Sequence, residues 1–400
     1  MRGLTVLVFL IGAIAPALDA QLVIAANRDV VFANPTPIGN AFVSCRLWYP
    51  ATAPVVAAPV ATPPAGGGPA VVFLHGYALN GLAYDRIGIW LAQRGYVAVM
   101  MNTGVFNWNE QRDDGIALHA VLAAEAQSAS SWLFGNVDPS RMAVAGHSMG
   151  GANTFRVLAQ NPGYVTGVGF ATWDGLGWQT TTGPQVQTPL LLLHGRGDTV
   201  VMWPSSSAWF ANTPAFTGVK TLYVLDTNCR HDNIANLLPA FTPTDLQVFE
   251  RCATVATRWL DRWLKNDASG LDEVVGAGPG SDPQLDTHDV RVADPELWTD
   301  VPLTVGATVT LNTLAEPGPS AIWAAATPAS VPTPYGLLEL ELSVAVPLLV
   351  GAPGTDRRLF TAIPIPNDPN LVGVPISLQS IGLGVDAAFH LSPALHLTIN

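Results

Sequence analysis

The sequence predicts an α/β protein: a mostly parallel sheet with helices on both faces, followed by a small all-β unit. Three observations lead there. Short apolar runs alternate with amphipathic segments between residues 70 and 263, the pattern of strand–helix–strand units. Gly146-His147-Ser148-Met149-Gly150 has the Gly-x-Ser-x-Gly form of a sharp strand-to-helix turn, and it stands between such a strand and such a helix. After Asp267 the pattern changes to short β-rich runs separated by Pro and Gly turns.

Each element follows from its own residues. Ala41–Tyr49 (AFVSCRLWY) reads as a strand, and the Ala-, Pro-, Val- and Gly-rich stretch Pro50–Pro69 as a connection or a hairpin between strands. Ala70–Leu74 (AVVFL) is continuously apolar, as a strand buried on both faces requires. Tyr84–Arg94 carries Ile87, Trp90 and Leu91 at helical spacing and stops at Gly95; Tyr96–Met101 is the next strand. Arg112–Ala129 is a helix with Ile116, Leu118, Val121 and Leu122 inward. Arg141–Ala145 then leads into the Gly-x-Ser-x-Gly turn, and Gly150–Gln160 leaves it as a helix ended by Asn161-Pro162-Gly163. Val165–Thr172, Pro189–His194 and Lys220–Leu225 complete the strands, with a helix starting at Ser205–Phe210. Phe249–Trp263 is amphipathic, with Cys252, Val255, Ala256, Trp259 and Trp263 on its apolar side. Residues 268–299 hold Gly, Pro and Asp clusters without a sustained period and read as a linker. Thr308–Leu311, Leu337–Leu342, Val374–Leu378 and Leu395–Ile399 are short strands expected to form a small antiparallel sandwich.

The division expected is therefore a leader over 1–20, a catalytic unit over 21–267, a linker over 268–299 and an accessory β unit over 300–400. The leader rests on the order of Met1-Arg2, the apolar Leu4–Ala15 and the small residues that follow, with cleavage near Ala17 or Ala20. That apolar run is shorter than the ~20 residues that cross a bilayer, so an exported protein without a membrane span is expected. Net charge is −12, with two lysines among 18 basic residues and no basic stripe, which excludes a nucleic-acid partner. A monomer is expected. Three cysteines in an exported chain invite one disulfide. Cys229 and Cys252 are the closest candidates, with Cys45 a buried small apolar residue, although sequence does not fix connectivity.

A serine becomes nucleophilic when an imidazole takes its proton, and a carboxylate orients that imidazole. Where the serine stands at an elbow above a sheet, the acid and then the histidine follow at later strand ends. Ser148 occupies the elbow. Asp198 follows the strand PLLLLH, and His231 follows the strand KTLYVL. All three fall at one edge of the sheet. Asp174, in Trp173-Asp174-Gly175, is an alternative acid; Asp226 reads as a turn residue. His75, His147 and His194 stand at or beside strand ends and read as hydrogen-bonded structural residues. Donors for a developing oxyanion are expected from the backbone N–H of Met149 and of Tyr77, in the loop after AVVFL. No metal-binding pattern is present, and no cofactor is expected.

These residues resemble those of the cutinase-like polyester hydrolases, a branch of the α/β-hydrolases related to dienelactone hydrolases. The resemblance covers about residues 40–266 and rests on Gly146-His147-Ser148-Met149-Gly150-Gly151, Asp138-Pro139-Ser140-Arg141, Gly76-Tyr77 and Phe170-Ala171-Thr172-Trp173. It implies an α/β-hydrolase fold and a secreted ester or polyester hydrolase working through an acyl-enzyme. It also implies a subsite built from Tyr77, Met149 and Trp173, with His147 a further candidate for substrate contact. The sequence departs from the family at His75, where proline is common, and at Asn228-Cys229-Arg230, where small residues are usual. The last hundred residues resemble β-rich C-terminal modules of exported bacterial proteins, which implies attachment to a surface or polymer. The rival readings are a peptidase, amidase or lipid acetylhydrolase on the same scaffold, and a binding protein whose site has decayed.

Overall fold

A computed structural model describes residues 23–36, 38–214, 218–237 and 242–400. The leader expected over residues 1–20 lies outside them. The first unit carries strands β1 (Ala25–Ala33), β2 (Phe42–Pro50), β3 (Gly68–Leu74), β4 (Val97–Met101), β5 (Val137–His147), β6 (Thr166–Phe170), β7 (Leu190–Gly195), β8 (Val219–Leu225) and β9 (Leu285–Val292). They form one sheet in the order β1-β2-β4-β3-β5-β6-β7-β8-β9. The six strands from β3 to β8 run parallel, whereas β1, β2 and β9 pair antiparallel. This mixed, mostly parallel sheet with helices between its strands is the α/β-hydrolase fold.

Helices α1 (Asp85–Ala92), α2 (Trp108–Gln127), α3 (Met149–Leu158), α4 (Trp178–Thr182), α5 (Pro204–Asn212) and α6 (Pro243–Lys265) cover the sheet. Successive strand residues point to opposite faces, and each face has its own core. Val71, Phe73, Ala98 and Met100 pack with Leu91 of α1 and with Val255 and Trp259 of α6. Val72, Leu74, Val97 and Val99 pack with α2, α3 and α5 through Leu118, Val121, Phe155 and Trp209. Burial on both sides explains the unbroken apolar runs. Each fully buried side chain of this size contributes about 1.5–3 kcal/mol. α6 begins earlier than its apolar stripe because Thr242 and Asp245 form a capping box ahead of Pro243.

Residues 268–299 carry structure of their own. Two short helices, α7 (Asp272–Val275) and α8 (Gly278–Ser281), precede β9, and β10 (Glu296–Thr299) follows it. β9 extends the main sheet antiparallel to β8, in register from Val219 opposite Val292 to Val224 opposite Thr287, with a one-residue shift before Leu225 meets Leu285. Its mostly half-exposed polar residues, with Val290 and Val292 alone buried, are the pattern of an edge strand, without an apolar run to announce it.

The C-terminal unit adds β11 (Thr308–Leu314), β12 (Glu316–Ala325), β13 (Pro328–Thr333), β14 (Gly336–Leu340), β15 (Val346–Gly351), β16 (Arg358–Pro364), β17 (Pro375–Leu383), β18 (Phe389–Leu391) and β19 (Leu395–Thr398). β10-β11-β16 is one antiparallel sheet, β15-β12-β17-β18, with β19 on β17, is a second, and β13-β14 pair as a separate two-stranded hairpin. Leu297, Val309 and Leu311 of the first meet Ile322, Ala324 and Leu378 of the second in a shared core. The two units are not merely tethered. Trp298 and Leu314 belong to the α6-side core of the main sheet, and Arg262 of α6 pairs with the buried Glu296 at 2.7 Å.

The expected disulfide is absent. Cys45, Cys229 and Cys252 are all free, buried thiols. Cys229 and Cys252 lie together inside the α6-side core, and the neighbouring thiol together with burial holds the Cys229 thiol well above its ordinary range.

Candidate active site

β5 ends in the elbow. Ser148 has φ 57° and ψ −117°, a left-handed conformation that costs energy and persists because its surroundings fix it. Its N–H donates to the Phe170 carbonyl at 2.9 Å, and its own carbonyl accepts from Trp173 N–H at 3.1 Å. The turn also demands close backbone approach. A Cβ on Gly150 would overlap the Leu74 carbonyl, and one on Gly146 would overlap the Gly150 carbonyl. Gly150→Ala is therefore expected to cost about 1–3 kcal/mol through forced backbone shifts. Thermal unfolding measures this, and an unchanged midpoint would refute it.

Asp198 lies in the loop after β7, and His231 in the loop after β8. His231 Nδ1–H donates to Asp198 Oδ2 at 2.7 Å, which leaves Nε2 as the proton acceptor. Asp198 Oδ1 accepts from the N–H groups of Val200 and Val201 at 2.8 Å each. Burial alone would raise the carboxyl, but the nearby His194 N–H and the hydrogen bonds from His231 and the Val201 amide outweigh it and hold Asp198 well below the usual carboxylate range. Asp174 is an exposed turn residue that caps Leu176 N–H, and Asp226 caps Asn228 N–H. Of these three carboxylates, Asp198 is the one bonded to His231.

The loop after β3 stands beside the serine. A methyl group on Gly76 would sit 3.4 Å from Ser148 Cβ. The Gly76 N–H is already committed to Tyr84 Oη at 2.8 Å. No acceptor among the described residues takes the Tyr77 N–H. Met149 opens α3, where the first N–H groups have no acceptor within the helix, and the helix dipole favours negative charge there. These two amides are the donors expected from the sequence.

His147 is the buried, hydrogen-bonded strand-end residue expected, and not the substrate contact also expected of it. It is 1% exposed and therefore unavailable to substrate. Its Nε2 lies 2.9 Å from the His231 carbonyl, so it carries the hydrogen, and its Nδ1 accepts from Tyr84 Oη at 3.0 Å. Burial and the neighbouring His231 hold its pKa well below the ordinary value. A continuous chain of hydrogen bonds thus runs from Gly76 N–H through Tyr84 and His147 to the His231 loop. His75 is buried as well, 2.8 Å from the Thr103 carbonyl, with its own carbonyl accepting from Gln111 at 2.9 Å. The strand-end positions of His75 and His147 marked both as structural, whereas Tyr84 carried no sequence signal at all.

Aromatic residues line the approach. Tyr77 is 55% exposed and meets Phe106, 67% exposed, edge-on at 5.6 Å. Trp173 packs between Trp178 at 5.4 Å and Trp108 at 6.2 Å. A cavity of about 510 Å³ opens beside Trp173, bounded by Val200, Met202 and Ser205. Met149 is buried, so its backbone rather than its side chain is presented. Among the described residues no group of three His, Cys, Asp or Glu side chains could hold a metal, and no helix is long and apolar enough to cross a membrane.

The family model of PET hydrolase-like proteins matches residues 39–278. The chain belongs to the PET hydrolase-like family. Among curated relatives, cutinase est1 of Thermobifida alba is 26% identical over 201 residues, which are 50% of this chain and 61% of that protein. A bis(hydroxyethyl) terephthalate hydrolase of Streptomyces coelicolor is 24% identical over 200 residues, 50% of this chain and 58% of its own length. A cutinase of Thermobifida fusca is 25% identical over 200 residues, with 50% and 60% covered. The chain spans about three-fifths of the length of these relatives. The family match ends before β9, so the PET hydrolase-like region excludes the C-terminal sandwich.

Proposed function

We propose that this chain is an exported serine hydrolase that cleaves carboxylic esters of the cutinase and polyester type through an acyl-enzyme. The observation that carries the reading is the 2.7 Å bond from His231 Nδ1–H to Asp198, made in the loop tied to the elbow that presents Ser148. His231 Nε2 takes the Ser148 proton as Oγ attacks the ester carbonyl. Asp198 stays ionised and stabilises the imidazolium. The Tyr77 and Met149 N–H groups receive the oxyanion, each donor being worth about 3 kcal/mol in the transition state. His231 then protonates the departing alcohol, and water repeats the sequence on the acyl-Ser148 ester.

The exposed apolar rim of Tyr77, Phe106, Leu176, Val200 and Met202 supports an apolar, extended ester such as a polyester chain. The order of charge, apolar core and small residues over 1–20 supports export. Exposed Leu342, Val350 and Phe360 on the sandwich support a role in attachment to a surface.

The test is a panel of p-nitrophenyl butyrate, an aromatic ester, a triglyceride emulsion, polyester film and a p-nitroanilide. Turnover of both small esters and release from film are expected, with the anilide at background. Anilide cleavage at the rate of the ester would place the chain among amidases instead. Trp173→Ala is expected to raise KM for the aromatic ester about tenfold, the worth of one ring contact of ~1.4 kcal/mol, while butyrate kinetics hold. Equal loss on both substrates would contradict that contact.

A further inference from the structure

Asp198 is touched by a second imidazole. His194, at the end of β7, is fully buried, and its Nε2 lies 3.3 Å from Asp198 Oδ2. The same nitrogen lies 2.8 Å from the Val201 carbonyl oxygen. Both neighbours are acceptors, so Nε2 carries the hydrogen. Nδ1 lies 2.7 Å from Ser206 Oγ, and in the neutral ring it accepts that hydroxyl's hydrogen. Ser206 is itself buried on α5, so nothing from solvent competes for the ring. Three hydrogen bonds therefore hold the carboxylate, from the Val200 and Val201 amides to Oδ1 and from His231 to Oδ2, and the His194 N–H, bonded to the Val201 carbonyl, lies against Oδ2 as a further polar contact. The other titratable groups facing this carboxylate are His147, behind His231, and the Cys229 thiol.

We propose that His194 is a positioning residue that aims the Asp198 carboxylate at His231, with Ser206 selecting the tautomer that lets it do so. The proposal rests on the reading of Ser148, His231 and Asp198 as the ester-cleaving set, and His194 touches neither substrate nor reacting atoms. Without it, Oδ1 stays held by the two amides but Oδ2 has His231 as its one partner and can turn with it. With it, Oδ2 also lies against a side chain fixed in the buried scaffold, and His231 inherits that orientation.

The experiment uses the full chain. His194→Leu removes the donor at similar volume, whereas His194→Gln returns an N–H near the position of Nε2. His194→Leu is expected to lower kcat on p-nitrophenyl butyrate about 10- to 100-fold, the cost of misplacing a catalytic group by a fraction of an ångström to 1 Å, with KM little changed. It is also expected to move the acid limb of the kcat/KM profile to higher pH, because a carboxylate relieved of one donor holds the His231 proton more tightly. His194→Gln restores most of both, and Ser206→Ala moves the limb the same way by less. The downfield proton NMR resonance of His231 Nδ1–H reads the contact without turnover and shifts in the Leu and Ala variants. A folded His194→Leu protein with unmoved limb, kcat and resonance overturns the proposal, as does a Gln variant no better than Leu. Should His194→Leu fail to fold, Ser206→Ala decides by the same readouts. Turnover that survives Ser148→Ala would instead overturn the reading of function, and the resonance would still test His194.

Discussion

Ser148→Ala is expected to bring ester hydrolysis to background, a loss approaching a million-fold in kcat for a nucleophile that acts as one unit with its base. The substitution is small and sits in a partly exposed turn, so the fold should be undisturbed. The strained φ is set by the backbone bonds to Phe170 and Trp173, neither of which uses the hydroxyl. KM is expected to hold, because the cleft walls are untouched. A fluorophosphonate probe should label the peptide carrying Ser148 in the parent protein and nothing in the variant. Labelling at another serine, or activity above background in the variant, would remove Ser148 from the mechanism. Residual hydrolysis slightly above the buffer rate is the expected signature of an oxyanion site that outlives its nucleophile.

The second large effect concerns where the chain can be cut. A chain ending at 267 loses β9, and one ending at 293 keeps it. β8 is buried along its whole length, and without β9 its outer edge presents unpaired N–H and C=O groups to solvent, a template for aggregation. The same cut removes Asp282, which accepts from Arg251 at 2.7 Å and from Tyr223 Oη at 2.6 Å. Two buried valines, Val290 and Val292, go with it. Several kcal/mol are lost, against a total stability of about 5–15 kcal/mol for a typical domain. The shorter chain is therefore expected to be insoluble. The chain ending at 293 is expected to be soluble but to melt below the full protein, because Trp298 no longer fills the α6-side core. Identical melting of all three would show that β9 and Trp298 carry no stability. The 293 chain also separates the roles of the two units: it should keep soluble-ester turnover and lose adsorption to film.

Legibility followed burial. The strands β3 to β8 were readable because both faces are covered, and continuous apolar runs such as AVVFL or PLLLLH have no other explanation. Ser148, Asp198 and His231 could be nominated as one candidate set because parallel strands deliver their following loops to one edge. The edges were not. β1 (AANRDVVFA) and β9 (LDTHDVRV) mix charged and apolar residues because one side of each strand is partly solvated, and such segments look like loops in sequence. The relay through Tyr84 and His147 was invisible for a different reason. It joins residues far apart in the chain, and sequence names candidate polar groups without naming their partners. The cysteines show the converse: Cys229 and Cys252 are neighbours in space, yet proximity did not amount to a bond.

That relay has a mechanical meaning. The loop carrying Tyr77 and the loop carrying His231 arise from strands at different places in the sheet, and positional error between them would ordinarily accumulate along the intervening polypeptide. Tyr84 and His147 short-circuit that path. The spacing between the two loops is gauged by three hydrogen bonds, much as a jig holds two parts while a third is fitted between them. Thermal drift in one loop is thereby shared with the other, and their separation changes less than either position does. Engineering that reshapes one rim of the cleft will retune the opposite rim as well, unless His147 is released first.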